Sequence, residues 1–416
     1  MAKVTWLTPQ PLQGSGGIRN IFTYIALLQD EGHDVRVAID PSYSGTPEQA
    51  ATEIRKYYDV HIHTPVQIGY EPTEPTDVVI ATAWFTAPFA RDHPNAAYRI
   101  YFIQDYEAFF QPMGDYYLMA HNTYQYGLAP ITSTKWLSNF LQYTFSTPSR
   151  HFDLTVDHQI YRPEQNATPE RPQIAFLYQP EKPRRCVNLG LDALSIVYKI
   201  RPDLEIHTYG SPQPPNGQFP YRHHGLISPL QCNALYNNST LGLCLSATNP
   251  SRIPIEMMAS GLPVVDLYLP NNLIDFPDSS VLLCEPTPEA IASGIVHLLN
   301  SPSSTARMRD TGITFTQALP DSLAATQFIS ALNELLSSPI SQFSSRPISP
   351  LLYRQEPFKS FFRSSSTYFF TPRPHRFNIV TPITQNHKYN LLKRHFARMF
   401  PKLSRRLRPL YHRLTK

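Results

Sequence analysis

The residues of this 416-residue chain best suited to chemistry lie in four short stretches. Pro183-Arg184-Arg185 places two permanent cations just ahead of an apolar-periodic helix. Planar N–H forks beside a helix N-terminus suit a diphosphate, including one that departs as a leaving group. Two solvated surface arginines are the plainer alternative. Gly14-Ser15-Gly16-Gly17 falls between a strand pattern and a helix pattern. Such a loop exposes backbone N–H groups and a helix dipole worth ~0.3–1 kcal/mol to a nearby anion, and glycine lets a phosphate or sugar come close. It carries neither the Gly-Lys-Ser/Thr of a Walker loop nor a G-x-G-x-x-G fingerprint, so a tight turn without ligand stays equally open.

Gln104-Asp105-Tyr106-Glu107 follows a predicted strand. Its polar groups should emerge at the strand's C-terminal edge, where open α/β sheets bind ligands. A carboxylate there, Asp105 or Glu107, can orient or deprotonate an acceptor hydroxyl, unless the stretch is only a solvated acidic loop. Glu256 is a lone acid in the otherwise apolar run Pro254–Val265. It can accept hydrogen bonds from vicinal ribose hydroxyls in a cleft, or merely complement a helix start. His61 and His63 alternate on an extended stretch and are read as surface residues, and the four cysteines have no metal spacing, so no metal site is expected.

Positioning these groups takes alternating strands and helices. Lys3–Thr8, the glycine loop, an apolar-periodic helix over Ile18–Leu28, the stop Gly32-His33 and the strand Asp34–Ile39 form a βαβ unit. Further strands are predicted at Asp77–Thr82, Tyr98–Phe102 and Leu128–Ile131. A second series starts at Gln173–Tyr178 and continues with a helix from about Asn188 to Ile200 and strands at Leu204–Tyr209 and Leu241–Leu245. A helix near Pro254–Ser260, a strand at Pro263–Asp266, and helices over Glu289–Leu299 and roughly Ser322–Leu336 complete it. The expected fold class is α/β, with two Rossmann-like domains at 1–165 and 166–338 facing a central cleft. Residues 339–416 read as a Ser/Pro-rich linker and a basic tail.

Charge divides the chain. Residues 340–416 hold sixteen Lys and Arg and one acid, whereas residues 1–339 hold 20 basic and 31 acidic residues. An acidic body argues against a nucleic-acid partner. The tail mixes Leu392, Phe396, Met399, Leu403 and Leu407 with its cations, which suits a membrane surface, a nucleic-acid or partner-docking arm, or mere solvation. No apolar run approaches the ~18 residues of a membrane span, and Met1-Ala2-Lys3 leads directly into a strand pattern rather than a secretory signal. A cytoplasmic chain is expected, with the tail as the candidate contact to the inner face of the cell membrane.

The segment Pro254-Ile255-Glu256-Met257-Met258-Ala259-Ser260-Gly261-Leu262-Pro263-Val264-Val265 resembles the second-domain signature of glycosyltransferase family 4, of the GT-B fold. Supporting matches are Glu31-Gly32-His33-Asp34-Val35, Ser133-Thr134-Lys135-Trp136-Leu137 and Val156–Pro163. Tyr101–Glu107 through Pro112-Met113-Gly114, with Pro183-Arg184-Arg185 before Leu189-Gly190-Leu191, carry a closer likeness to rhamnosyltransferases of bacterial surface-glycan assembly. The family usually has two glutamates separated by seven residues. Glu256 matches the later one, but Thr248 occupies the earlier position and cannot supply a carboxylate.

The resemblance implies transfer of a sugar, rhamnose among the candidates, from a dTDP- or UDP-sugar donor to a glycan or lipid-linked acceptor. It implies retention of configuration and no metal in catalysis. Donor contacts are then expected from Gly16, Gly17, Arg184, Arg185, Thr248 and Glu256, acceptor contacts from Gln104 and Asp105, and catalytic roles for Asp105, Glu107 and Arg185. The rival readings are a catalytically silent glycan-binding or scaffold subunit, motivated by Thr248, and a GT-B phosphorylase or epimerase.

Overall fold

A computed structural model of the chain describes residues 1–164 and 171–338; the calls on the linker and basic tail, 339–416, lie outside the described residues. The first half runs β1 (Lys3–Thr8), α1 (Gly16–Asp30), β2 (Asp34–Ile39), α2 (Pro47–Tyr58), β3 (Val66–Ile68), β4 (Val78–Ala81), α3 (Ala87–Arg91), β5 (Tyr98–Ile103), a 3-10 turn (Glu107–Phe110), α4 (Asp115–Thr123), β6 (Ala129–Ser133), α5 (Lys135–Phe145) and β7 (Arg150–Phe152). The second runs β8 (Gln173–Leu177), a 3-10 turn (Pro183–Arg185), α6 (Val187–Ile200), β9 (Glu205–Tyr209), β10 (Arg222–His223), α7 (Pro229–Asn237), β11 (Leu241–Leu243), α8 (Arg252–Ala259), β12 (Val264–Leu267), α9 (Pro270–Asp275), β13 (Val281–Cys284), α10 (Pro288–Leu299), α11 (Pro302–Gln317) and α12 (Asp321–Ser337).

Each half builds its own parallel sheet, ordered β3-β2-β1-β4-β5-β6-β7 and β10-β9-β8-β11-β12-β13. Strands such as Val78–Ala81 and Ala129–Ser133 are buried at every position, as helices on both faces of a parallel sheet require. In each sheet the strand order reverses at the first strand: β1 pairs with both β2 and β4, and β8 with both β9 and β11. Ligand crevices form outside the C-terminal strand ends at such reversals.

The glycine loop takes its shape from sequence. Gly14 has φ +77, a left-handed conformation that costs L side chains, and Ser15 then caps α1 by accepting the Ile18 N–H. Within α6, a Cβ at Gly190 would come 2.5 Å from the Phe176 ring, so glycine lets this helix lie tight against β8.

One element departs from the expected grouping. The helix read at 322–336 with the second half packs on the first. Phe328 of α12 is fully buried, its ring 4.6 Å from Tyr24 and 5.7 Å from Phe102, and the Tyr98 hydroxyl donates to the Leu336 carbonyl at 2.8 Å. Amphipathic periodicity says that a helix buries one face, not which sheet receives it. The two chain crossings run side by side, with the Val156 N–H donating to the Leu319 carbonyl at 3.0 Å.

Candidate active site between the two sheets

Asp105 leaves the C-terminal end of β5 and points across to the second half. Its Oδ2 accepts the Thr248 hydroxyl at 2.9 Å and lies 4.0 Å from Arg184 Nε, while Oδ1 accepts the Tyr106 N–H at 2.8 Å. Burial pushes its pKa up to about 6, against the pull of Arg184 and the Thr248 hydrogen bond. Arg184 stands on the 3-10 turn after β8, and its guanidinium also covers the Phe110 ring, 4.4 Å from the centroid. Lys182 shares this loop, its pKa lowered by burial and then by Arg185 and Arg184. Lys182, Arg184 and Arg185 put three cations within four residues of this loop, a concentration of positive charge suited to an anion, with Asp105 and Glu107 acting on Arg184, Glu181 on Lys182 and Asp266 on Arg185.

Arg185 turns back toward its own sheet. Its Nη1 donates to Ser246 Oγ at 2.7 Å, and its Nε has no hydrogen-bond partner among the described residues. Near it, at the end of β12, sits Asp266, completely buried. One Asp266 oxygen accepts the Ser246 and Leu267 N–H groups at 2.7 Å each; the other has no partner among the described residues. Burial pushes its pKa up to about 8, with the two backbone bonds and Arg185 opposing.

Glu107 departs from the role of a base. Its Oε2 accepts the Trp84 N–H at 2.5 Å and its own N–H donates to the Tyr124 hydroxyl at 2.9 Å. Burial first, with Asp105 adding to it, pushes its pKa up to about 8, so near neutral pH it holds its proton and is suited to donate. Gln104 departs from acceptor contact. Its amide donates to the Gly17 carbonyl at 2.9 Å and accepts from Asn20 at 3.1 Å, so both ends hold the first turn of α1. Gly16 and Gly17 are exposed, and neither has a positive φ. A Cβ on Gly16 would meet nothing within 4 Å, and one on Gly17 would touch Gln104 at an ordinary 3.7 Å. Neither conformation nor packing demands glycine at these two positions.

Glu256 joins a different group. It lies inside α8 rather than at the helix start, faces Tyr161, Arg252 and Arg19, and has its pKa raised by burial against the pull of Arg252. Arg19 belongs to α1, so Glu256 also looks across to the first half. His61 and His63 lie with ring centroids 6.5 Å apart.

Two residues that clasp the halves carry no signal of their own in the sequence. Asn249 donates to the Gln104 carbonyl at 2.6 Å and accepts the Thr134 hydroxyl at 3.1 Å. Asp275, closing α9, accepts the Lys135 and Trp136 N–H groups at 2.9 and 3.1 Å and so caps α5 from the other half. Asp266, which bonds within its own half, is a lone acid at the end of an apolar strand pattern, a signal that the sequence does carry.

This geometry sets the comparisons with known proteins. Residues 172–296 match the family model described as WsaF, C-terminal domain. The O-antigen biosynthesis protein RfbC of Myxococcus xanthus is 30% identical over 327 residues; the match covers 73% of this chain and 25% of RfbC, so the chain spans about a quarter of that relative's length. Sucrose-phosphate synthase from Thermosynechococcus elongatus superposes with a TM-score of 0.62 at 13% identity, covering 82% of this chain and all of that one. HepE of Anabaena, in complex with UDP and glucose, gives 0.60 at 13% identity over 82% of this chain and all of its own. The solved structures establish the fold. Together the matches bear out the resemblance to GT-B glycosyltransferases.

Proposed function

We propose that this chain transfers a sugar from a nucleotide-diphosphate donor to a glycan or lipid-linked acceptor in the assembly of a surface polysaccharide. One observation carries the reading: Arg184, Asp105 and Thr248 meet where the C-terminal strand edges of the two sheets face each other. Arg184, with Arg185 and Lys182 behind it, stabilises the charge that develops on the departing diphosphate. Loss of one such preorganised charge costs ~10²–10³ in turnover. Asp105 occupies the place against Thr248 where the resemblance leads one to look for a second-domain acid, so the first half supplies the carboxylate that faces the sugar. Gly16 and Gly17 keep the first turn of α1 bare for close approach of the donor, and Glu256 takes the ribose.

HepE, of the same fold, holds UDP, which supports a UDP- or dTDP-sugar; the O-antigen relative supports a polysaccharide product, and the rhamnosyltransferase likeness alone points to rhamnose. Retention of configuration follows from the family likeness. The side-chain cations make a catalytic metal unnecessary in this reading, and transfer is expected to survive EDTA. The basic tail would hold the enzyme at the inner face of the membrane. The test is a panel of UDP- and dTDP-sugars screened by thermal shift and then by product formation, with product stereochemistry read by NMR. Stabilisation without transfer or hydrolysis for any donor would favour a silent binding subunit instead.

A further inference from the structure

Beside the cleft lies an apolar ledge that the donor site does not use. Phe110 is 37% exposed although its ring carries the Arg184 guanidinium. Phe109 is 44% exposed and stands edge-on to Tyr106 with centroids 4.7 Å apart. Met113 and Tyr116 are 76% and 62% exposed, and the Tyr116 ring lies 6.1 Å from Trp84, whose backbone N–H holds Glu107. The rings therefore surround the same turn that carries Asp105 and Glu107. Side chains this apolar, grouped and open to water mark a ligand surface.

Charge narrows the ligand. Residues 100–134 hold no lysine or arginine but three acids, Asp105, Glu107 and Asp115. Arg184, the cation stacked on Phe110, is paired with Asp105 and assigned to the donor, so the ledge's own segment offers no cation to a lipid headgroup or phosphate and favours an uncharged partner. An uncharged pyranose presents a face of weakly positive C–H groups, complementary to the negative face of an aromatic ring. Its hydroxyls stay free to reach the neighbouring carboxyl groups. We propose that Phe110, Tyr116, Trp84 and Met113 form an acceptor subsite that takes the pyranose rings of a neutral glycan and lays its terminal hydroxyl toward Asp105 and Glu107. This rests on the transferase reading above and gives it an acceptor class.

The full chain reports on the ledge through its own fluorescence. Of its three tryptophans, Trp6 is fully buried and Trp136 is 6% exposed, which leaves the half-buried Trp84 as the reporter nearest the ledge. The probes are neutral hexasaccharides of rhamnose, mannose and glucose. At least one is expected to give a saturable emission change, weakened roughly three- to tenfold by Tyr116→Ala, the scale of one lost ring contact, and restored by Tyr116→Phe. UDP and dTDP titrations into Tyr116→Ala should match wild type, so failure of nucleotide binding in wild type would count against the transferase reading alone. No saturable change with any hexasaccharide, or equal binding by Tyr116→Ala, would overturn the subsite. So would pelleting with phosphatidylcholine or phosphatidylglycerol vesicles, or a dimer in sedimentation, that Tyr116→Ala abolishes.

Discussion

Asp105 and Thr248, 143 positions apart and on opposite halves of the chain, share a hydrogen bond of 2.9 Å across the cleft. The bond aims a carboxylate of the first half at the Arg184 loop of the second, where the proposed function places the donor. Thr248→Glu therefore does not improve the enzyme. It sets a second carboxylate against Asp105, and like charges at that distance cannot both ionise freely. Transfer at neutral pH is expected to fall at least tenfold, and activity equal to wild type would mean that Asp105 is not the sugar-facing acid.

Arg184 and Arg185 should separate in their effects. Arg184 reaches Asp105 and Phe110 across the cleft, whereas Arg185 is tied to Ser246 in its own half. In isothermal titration of UDP and dTDP, Arg184→Ala is expected to weaken binding by roughly ten- to a hundredfold, and Arg184→Lys to recover only part of it, because an ammonium cannot make the bidentate contact. Unchanged affinity in Arg184→Ala would remove the diphosphate from this loop.

Glycine at 17 offers a test in which stability and function diverge. Its neighbours leave room for a methyl group, and alanine in a helical turn restricts the unfolded chain. Gly17→Ala is expected to melt at or slightly above the wild-type temperature while the donor KM rises. A parallel loss of melting temperature and activity would make the glycine structural.

Much of the fold was legible because its signals are local. The βαβ start, the strand at Tyr98–Phe102 and the helix after Arg185 each follow from periodicity and a glycine or proline stop, and they reappear as β1-α1-β2, β5 and α6. The cation pair at 184–185 and the acids at 105 and 107 were legible for the same reason, being runs of unusual type after predicted strands. What escaped depends on pairing at long range. Asn249 and Asp275 look like ordinary loop and helix-end residues until the other half supplies a carbonyl or a bare helix start. Glu107 reads as a base until burial beside Asp105 makes it an acid that keeps its proton.

Asp266 predicts a pH dependence of stability. Its folded pKa, pushed up to about 8, lies above that of an unfolded aspartate near ~3.9. The folded state then binds the extra proton, so its contribution is fully present below pH ~4 and is lost as pH rises through about 8. Asn keeps the single oxygen that accepts both N–H groups and removes the titration. Wild type should lose more melting temperature between pH 5 and 9 than Asp266→Asn does; identical slopes would mean that Asp266 stays ionised against Arg185.

Asp275 is the clasp whose release should open the cleft. Its two bonds to the Lys135 and Trp136 N–H groups join the halves, and burial pushes its pKa up to about 6. Thr134 still caps α5 through the Leu137 N–H, so Asp275→Ala leaves the helix intact and removes only the contact between halves. A cap of this kind is worth ~1 kcal/mol, which is roughly a fivefold shift between closed and open forms. Donor KM is expected to rise by about that factor with kcat little changed, and small-angle scattering should show a larger radius of gyration. The pH dependence runs the other way: a pKa of about 6 in the closed form lies above the ~3.9 of a solvated aspartate, so protonation favours the closed form, and lowering the pH from 7 to 5 should lower the wild-type KM and leave that of Asp275→Ala unmoved by this group. If the variant scatters as wild type at both pH values, the closed arrangement is held by the Asp105 and Asn249 contacts without help from Asp275.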